Sequence, residues 1–71
     1  MKLVNRLKVW RAEKNITQDE LAKAVNLSRQ TVNAVERGKF VPSVLTAIKM
    51  AKYFETNIES IFFTKEEEDD T

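Results

Sequence analysis

The side chains best suited to chemistry in this chain are Arg29, Gln30 and Asn33, which share one short stretch. If that stretch is helical, its two valines turn inward and these three side chains fall on the outward side. A guanidinium matches the O6 and N7 atoms of guanine, and a carboxamide matches the N6 and N7 atoms of adenine. The pattern therefore favours contact with base edges in a DNA groove. An ordinary solvated helix face is the alternative.

Two short helices joined by a tight turn are predicted to position these side chains. A Thr-x-x-Glu capping box at residues 17–20 starts a helix at Gln18. Asn26 follows as the turn residue, because its short side chain tolerates the left-handed conformation. Ser28 can cap the second helix, and Gly38 can end it. The apolar side chains expected to face the core here are Leu21, Ala22, Val25, Leu27, Val32 and Val35.

Three further helices are predicted over residues 5–14, 43–54 and 57–61, each beginning at an Asn or Ser that can cap it. The chain between the second helix and Ser43 is predicted to be a loop, which Pro42 keeps out of helix. The spacing of apolar residues then predicts which positions of these three helices, and of the connection at residues 15–16, face the core. They are Leu7, Trp10, Ile16, Val44, Ala47, Ile48, Ala51, Phe54, Ile58 and Ile61.

The two ends of the chain differ in character. Phe62-Phe63-Thr64 is a candidate strand that can pair with Leu3-Val4. Residues 65–71 contain five consecutive acids and no apolar side chain, which is typical of a disordered, solvated tail. We therefore expect an all-α fold: one compact five-helix domain over residues 1–64, with room for a short two-stranded β-ribbon, and an acidic disordered tail over residues 65–71.

Composition excludes several classes of function. The chain has 71 residues, no histidine and no cysteine, and Gly38 is its single glycine. The usual general base, thiol nucleophile and zinc-ligand sets need the missing residue types, and a phosphate-binding loop needs more glycine. No apolar run approaches the roughly 18 residues of a membrane span, and the N-terminus has no signal-peptide h-region. We expect no enzyme, no cofactor, no metal and no membrane partner, and a cytoplasmic location, which the lack of cysteine also fits.

Charge is distributed unevenly along the chain. Residues 1–40 hold nine Lys or Arg and four Asp or Glu, a balance of +5, whereas residues 41–71 hold three and seven, a balance of −4. The basic half contains the predicted pair of helices. A positive surface is what contact with DNA phosphates requires, so the coincidence favours double-stranded DNA as a partner.

The segment from residue 17 to residue 38 resembles the helix-turn-helix of the λ repressor/Cro type of regulators, the XRE family. Gln18 opens the first helix of the motif, Ala22 is small enough for close helix approach, and Asn26 takes the turn position, where glycine is more usual. Val32 and Val35 fill the inward sites of the second helix. Family landmarks outside the motif are matched by Arg11, Glu36, Pro42-Ser43 and residues 57–62, so the resemblance runs from about Leu7 to Phe62.

The resemblance implies a λ repressor-like fold and specific residue roles. Arg11 could reach a phosphate as a free cation, but the family pattern implies an ion pair with Glu36. Ala34 departs from members that carry a longer polar residue there, which leaves fewer direct base contacts or an apolar contact with thymine. The predicted base contacts are Arg29, Gln30, Thr31 and Asn33, and the predicted DNA backbone contacts are Gln18, Ser28, Arg37, Lys39 and Phe40. For Ser28, capping of the helix is the alternative.

Apolar side chains outside the predicted core favour self-association. Leu45 and Tyr53 lie off the core stripe of their helix, and Ile61, Phe62 and Phe63 cluster near the C-terminus. We expect these five residues at a homodimer interface. The alternative is that Phe62 belongs to the core and only Phe63 is exposed.

Taken together, the sequence predicts a prokaryotic, sequence-specific DNA-binding transcriptional regulator. The expected form is a repressor that binds a palindromic operator as a homodimer through a recognition helix at residues 29–37, because half-sites about one helical turn apart match a two-fold protein. The alternative is a DNA-binding antitoxin or a protein-interaction module that uses the C-terminal apolar patch. A regulatory protein partner, or the acidic tail, could carry the inducing signal.

Overall fold

The computed structural model describes residues 1–66, and in this part of the chain five helices and two strands follow one another. None of these helices has both the length and the apolar character that crossing a bilayer demands. The mostly helical five-helix fold predicted from the sequence is confirmed. In chain order the elements are β1 (Lys2–Asn5), α1 (Leu7–Lys14), α2 (Gln18–Ala24), α3 (Arg29–Glu36), α4 (Val44–Tyr53), α5 (Ile58–Ile61) and β2 (Phe62–Lys65).

The helices begin where side chains can satisfy their free N–H groups. Thr17 Oγ1 accepts a hydrogen bond from the Glu20 N–H at 3.1 Å, and the Glu20 carboxylate accepts one from the Thr17 N–H at 2.9 Å. This reciprocal pair is the capping box that the sequence predicted. α3, α4 and α5 begin in the same way: the side-chain oxygens of Ser28, Ser43 and Asn57 each accept a hydrogen bond from the backbone N–H three residues later.

Turns between helices use left-handed residues. Asn26 (φ 60°) lies between α2 and α3, and the next N–H, of Leu27, donates to the Ala22 carbonyl at 2.8 Å. Asn15 (φ 58°) ends α1 in the same way. Gly38 (φ 73°) follows α3, and no atom beyond Gly38 and its two chain neighbours lies within 4 Å of where a Cβ would be, so the backbone conformation, rather than crowding, favours glycine there.

A two-stranded antiparallel sheet joins the two ends of the described chain. Leu3 pairs with Thr64 and Val4 with Phe63, the residues that the sequence suggested as a ribbon. The pairing continues to Lys2 opposite Lys65, so the strand includes the first residue assigned to the tail. The remainder of the predicted acidic tail, from residue 67 onward, lies outside the described residues and stays a prediction.

One apolar core lies between the helices and the sheet. Its largest fully buried side chains include Leu7 from α1, Leu21 from α2, Met50 from α4 and Ile61 from α5. Trp10, Ile16, Leu27, Tyr53 and Ile58 pack around its edge. The buried core consists of Leu7, Leu21, Ala22, Val25, Val32, Val35, Ala47, Met50, Ala51, Phe54, Ile61 and Phe62.

The sequence placed the core-facing stripe of α4 only in part: Ala47, Ala51 and Phe54 are buried as predicted, and two other positions are not. Val44 and Ile48, predicted to face inward, are 74% and 37% exposed. Met50, which was not among the predicted core residues, is fully buried. The helical period permits either arrangement, since Ile48 lies about 100° to one side of Ala47 and Met50 about 60° to the other. The neighbouring helices cover the side that carries Met50.

Two side chains predicted at a dimer interface are core residues of the single chain. Ile61 is 0% exposed and Phe62 is 8% exposed, so neither offers a surface to a partner. That assignment is wrong because α5 is a single short turn. Its last residue, Ile61, and the first residue of β2, Phe62, both pack into the core. The alternative, with Phe62 in the core, is the arrangement found.

Candidate nucleic-acid interface

The two faces of α3 differ sharply. Val32 and Val35 are 0% and 1% exposed and pack in the core, which fixes the back of the helix. Arg29, Gln30 and Asn33 are all exposed on the other side. Within residues 1–66, no part of the chain covers these three side chains. They are therefore presented outward from a helix held firmly behind.

A concave surface forms where these side chains meet the start of α2. It is lined by Gln18, Arg29, Gln30 and Asn33. Three of the four predicted base-contact residues are thus brought together with one predicted phosphate contact. Thr31 is not part of this surface: it is half-buried, and its hydroxyl lies 2.9 Å from that of Ser28.

Ser28 acts first as a structural cap. Its Oγ accepts a hydrogen bond from the Thr31 N–H at 3.1 Å and so satisfies one of the free donors at the start of α3. Because the Ser28 side chain is itself exposed, its hydroxyl can still meet a phosphate in a complex. The two roles proposed from the sequence are compatible in this geometry.

A hydrogen-bonded bridge ties α3 to α1 and α2. Arg11 donates from Nε and Nη2 to the two carboxylate oxygens of Glu36 at 2.7 and 3.2 Å, and its Nη1 donates to the Ile16 carbonyl at 3.0 Å. This is the Arg11–Glu36 ion pair that the family resemblance implied. The side chains of Arg11 and Glu36 are 17% and 5% exposed. The hydrogen bond to Glu36 raises the pKa of Arg11 above its ordinary value, although burial acts against it.

Gln18 has a second role that the sequence did not reveal. Its Nε2 donates to Glu36 Oε1 at 3.1 Å, so the carboxamide joins the same bridge. A carboxamide has two N–H donors, and one of them remains for a phosphate. Glu36 therefore holds Gln18 in a fixed orientation at the edge of the concave surface.

The segment after α3 carries the remaining predicted backbone contacts. Arg37 ends the helix, and Arg37 and Lys39 are exposed. Phe40 is 51% exposed beside them. Asn5 fixes this end of the helix, because its Nδ2 donates to the Val35 carbonyl at 2.9 Å. From the sequence, Asn5 was predicted only to cap α1. Its Oδ1 does accept from the Leu7 N–H, although Arg6 occupies the cap position itself.

An apolar area lies next to that segment. Val41, Val44, Leu45 and Ile48 are 65%, 74%, 63% and 37% exposed, and we call these four residues the α4 apolar surface. Only Leu45 among them was predicted at an interface. Val44 and Ile48 were predicted to face the core, and Val41 was predicted to lie in a loop, where the structure also places it.

The remaining predicted interface residues lie elsewhere and are partly covered. Tyr53 is half-buried against the Phe54 ring, 5.1 Å between centroids, and the Lys14 ammonium lies 5.0 Å from its ring centre. Phe63 is half-buried in β2 with the Arg6 guanidinium 5.3 Å from its ring centre. The structure therefore does not gather the five predicted interface residues into one surface.

Comparison with known proteins matches the fold and the motif described above. The family model described as Helix-turn-helix matches residues 7–61. The chain is 48% identical over 64 residues to an uncharacterized HTH-type transcriptional regulator from Methanocaldococcus jannaschii, an alignment that covers 90% of this chain and 97% of that protein. It is 41% identical over 63 residues to the HTH-type transcriptional regulator YgzD from Bacillus subtilis, covering 89% and 96%.

The same similarity holds in three dimensions. The restriction-modification controller protein C.AhdI from Aeromonas hydrophila superposes with a TM-score of 0.72 at 31% identity, covering 78% of this chain and 83% of that one. The family-model match over residues 7–61 includes α2, the turn at Asn26 and α3. With its capped helices, its left-handed turn and its outward polar face, the chain belongs to the XRE-type helix-turn-helix family of transcriptional regulators.

Proposed function

We propose that this protein is a repressor that binds a palindromic operator as a homodimer, with α3 in the major groove of each half-site. The observation that carries the proposal is the joint exposure of Arg29, Gln30 and Asn33 on a helix whose other face is buried. Steric exclusion of RNA polymerase from an occupied operator needs no surface beyond the one that binds DNA.

Residue chemistry divides the proposed contacts into two groups. Arg29 and Gln30 begin α3, the part of a recognition helix that meets base edges, and Asn33 follows one turn later. We assign these three to base contacts, each worth about 1–3 kcal/mol of discrimination. Thr31 stays a weaker candidate, through its methyl group, because its hydroxyl is occupied by Ser28. The predicted backbone contacts Gln18, Ser28, Arg37, Lys39 and Phe40 surround this group and would position the helix.

The α4 apolar surface supports the dimer. Four apolar side chains between one-third and three-quarters exposed form a continuous strip, since Val44, Leu45 and Ile48 occupy neighbouring positions on one side of α4. Exposed apolar patches of several hundred Å² usually mark an interaction site. A two-fold dimer uses the same patch on both chains, so one strip on each protomer is sufficient.

DNA binding is tested by fluorescence anisotropy on random-sequence duplex, followed by selection of bound duplexes from a random library. We expect log K to fall with log salt with a slope of about −0.9 for each phosphate contacted. The selected duplexes should contain an inverted repeat with a fixed half-site spacing. A slope near zero would contradict the proposal and would favour the alternative, a protein-interaction module.

Single variants separate the two groups of contacts. Gln30→Ala and Asn33→Ala should relax the base preference at one position of each half-site. Lys39→Gln should weaken binding to all sequences alike and reduce the salt slope by about one. Lys14→Gln is the matched control, because Lys14 is also exposed but lies against Tyr53 of α4. Equal effects of the two lysine variants would contradict the assignment of Lys39.

The dimer surface is tested by sedimentation of charged variants. Leu45→Glu and Ile48→Glu should convert the dimer to a monomer without loss of helical circular dichroism, because both side chains are exposed. Val9→Glu is the control, since Val9 is 52% exposed on α1, away from this strip. Dissociation by Val9→Glu, with Leu45→Glu still dimeric, would place the interface elsewhere.

A further inference from the structure

A second surface of the molecule is an open groove between α1, α5 and β2. It is lined by Val9, Trp10 and Glu13 from α1, by Glu59 and Ser60 from α5, and by Arg6 and Phe63. None of these residues is assigned to DNA contact, and none belongs to the α4 apolar surface. The groove therefore has no role in the function proposed above.

The floor of the groove is apolar and rigid. The Trp10 ring is half-buried, its Nε1 donates to the Ser60 carbonyl at 3.0 Å, and its centroid lies 6.0 Å from that of Phe54. These contacts fix the plane of the indole. Phe63 is half-buried beside it, and Val9 is 52% exposed. A partner would find this apolar surface already formed, without a cost for ordering it.

The acidic side chains at the groove lack basic partners in the described chain. Within residues 1–66 the salt bridges join Arg11 to Glu36 and Lys23 to Asp19, so neither Glu13 nor Glu59 is paired. The one cation of the groove, Arg6, lies over the Phe63 ring instead. Two unpaired carboxylates thus stand beside an apolar floor. This combination complements a segment that carries both an apolar and a basic side chain.

The groove lies on the opposite side of α1 from the hydrogen-bonded bridge that Arg11 forms with Glu36. Arg11, which binds Glu36 of α3, is two residues from both Val9 and Glu13, and two residues correspond to a rotation of about 200° on a helix. A molecule seated in the groove would consequently leave α3 and its polar face uncovered. Occupation of the groove and binding of DNA are compatible in one molecule.

We propose that this groove is a docking site for a basic amphipathic segment of a partner protein. An apolar side chain of the partner packs on Trp10, Phe63 and Val9, and a Lys or Arg of the same segment lies between Glu13 and Glu59. The inference goes beyond the proposed repressor function and does not depend on it. It gives this small domain a surface for a regulatory protein that remains accessible while the domain is on DNA.

Trp10 is the single tryptophan of the chain, and its fluorescence reports on the groove directly. The full chain is titrated, without DNA, with an amphipathic helical peptide of leucine and lysine, and separately with the matched peptide of leucine and glutamate. We expect a saturable blue shift of the Trp10 emission with the lysine peptide and at least tenfold weaker binding of the glutamate peptide. No saturable change, or equal affinity for both peptides, would overturn the proposal.

Variants locate the binding site. Glu13→Gln and Glu59→Gln should each weaken the lysine peptide about two- to fivefold, the range expected for an exposed ion pair. Asp19→Asn, an acid on α2 outside the groove, is the matched control and should leave the affinity unchanged. Affinity that is insensitive to both glutamate variants would show binding through the acidic residues that follow Lys65, and would overturn the proposal. Loss of homodimer in the Glu13→Gln/Glu59→Gln protein would also overturn it, by assigning the groove to a second copy.

Discussion

Removal of the Arg11 guanidinium tests how α3 is held. In Arg11→Met the side chain keeps its apolar stem but loses its donors to Glu36 and to the Ile16 carbonyl. The Glu36 carboxylate, whose side chain is only 5% exposed, then retains one donor among the described residues, Gln18 Nε2. The variant therefore leaves a nearly buried charge without its countercharge.

The loss of stability expected for Arg11→Met follows from how deeply the ion pair between Arg11 and Glu36 is buried. Removing one partner of a fully buried pair costs about 3–5 kcal/mol. Arg11 is 17% exposed, so water reaches one end of the pair and the lower value applies, about 3 kcal/mol. A domain of this length has a free energy of unfolding of about 4–10 kcal/mol. We thus expect Arg11→Met to remove a third or more of the stability and to lower Tm by about 12–24 °C.

Urea and thermal unfolding, followed by circular dichroism at 222 nm, measure this loss. Lys23→Gln is the control, because it breaks an ion pair that is 80% and 56% exposed and should cost less than about 0.5 kcal/mol. Arg11→Met/Glu36→Met should be more stable than Arg11→Met alone, since no charge is left buried. A cost for Arg11→Met no greater than that of Lys23→Gln would refute the reasoning. So would a double variant less stable than Arg11→Met.

Further predictions concern pH, the core and backbone strain. The pKa of Arg11 is raised in the folded state, mainly by its hydrogen bond to Glu36, so the stability it contributes is fully present below the unfolded pKa of a guanidinium and is lost only as pH rises through the folded pKa; the difference in unfolding free energy between wild type and Arg11→Met should not change between pH 7 and pH 10. In the monomeric Leu45→Glu protein, Met50→Ala should lower the free energy of unfolding by about 2–5 kcal/mol, measured in urea, whereas Val44→Ala should change it by less than about 0.5 kcal/mol; similar costs would contradict the observed burial of Met50 and exposure of Val44. Glu55→Gly should raise Tm, because Glu55 has a φ of 57° and a left-handed non-glycine residue costs about 1 kcal/mol or more; a lower Tm would show that no strain is relieved.

Features that depend only on residues close together in the sequence were predictable from it. The capping box at residues 17–20 and the left-handed turn at Asn26 involve side chains and backbone within a few positions, so their chemistry is visible in the sequence. The ribbon between the two ends was also suggested correctly, since Val4, Phe62, Phe63 and Thr64 are β-branched or aromatic residues, which favour strands. The face of α4 was not predictable in the same way. Val44, Ile48 and Met50 are all apolar, and only the position of the other helices decides which of them is buried.

The sequence predicted which residues of α3 face outward, but not the hydrogen bonds that hold the candidate site together. The outward position of Arg29, Gln30 and Asn33 followed from the period of the helix. The hydrogen bond from Gln18 to Glu36 spans 18 positions, and no local pattern encodes it. The interface assignment failed for Ile61 and Phe62 for a related reason, because an apolar cluster at the end of a small domain can equally well complete the core.

The pairing of Lys2 with Lys65 has a practical consequence for engineering this fold. Directly opposed residues in an antiparallel pair lie about 5 Å apart at Cα, so a linker of a few residues could join the two strands covalently. New termini could then be opened in the exposed segment at Lys39 and Phe40, which belongs to neither neighbouring helix. Such a circular permutant would keep every core contact, yet α3 would become the C-terminal element, to which a sensor or effector domain could be fused directly.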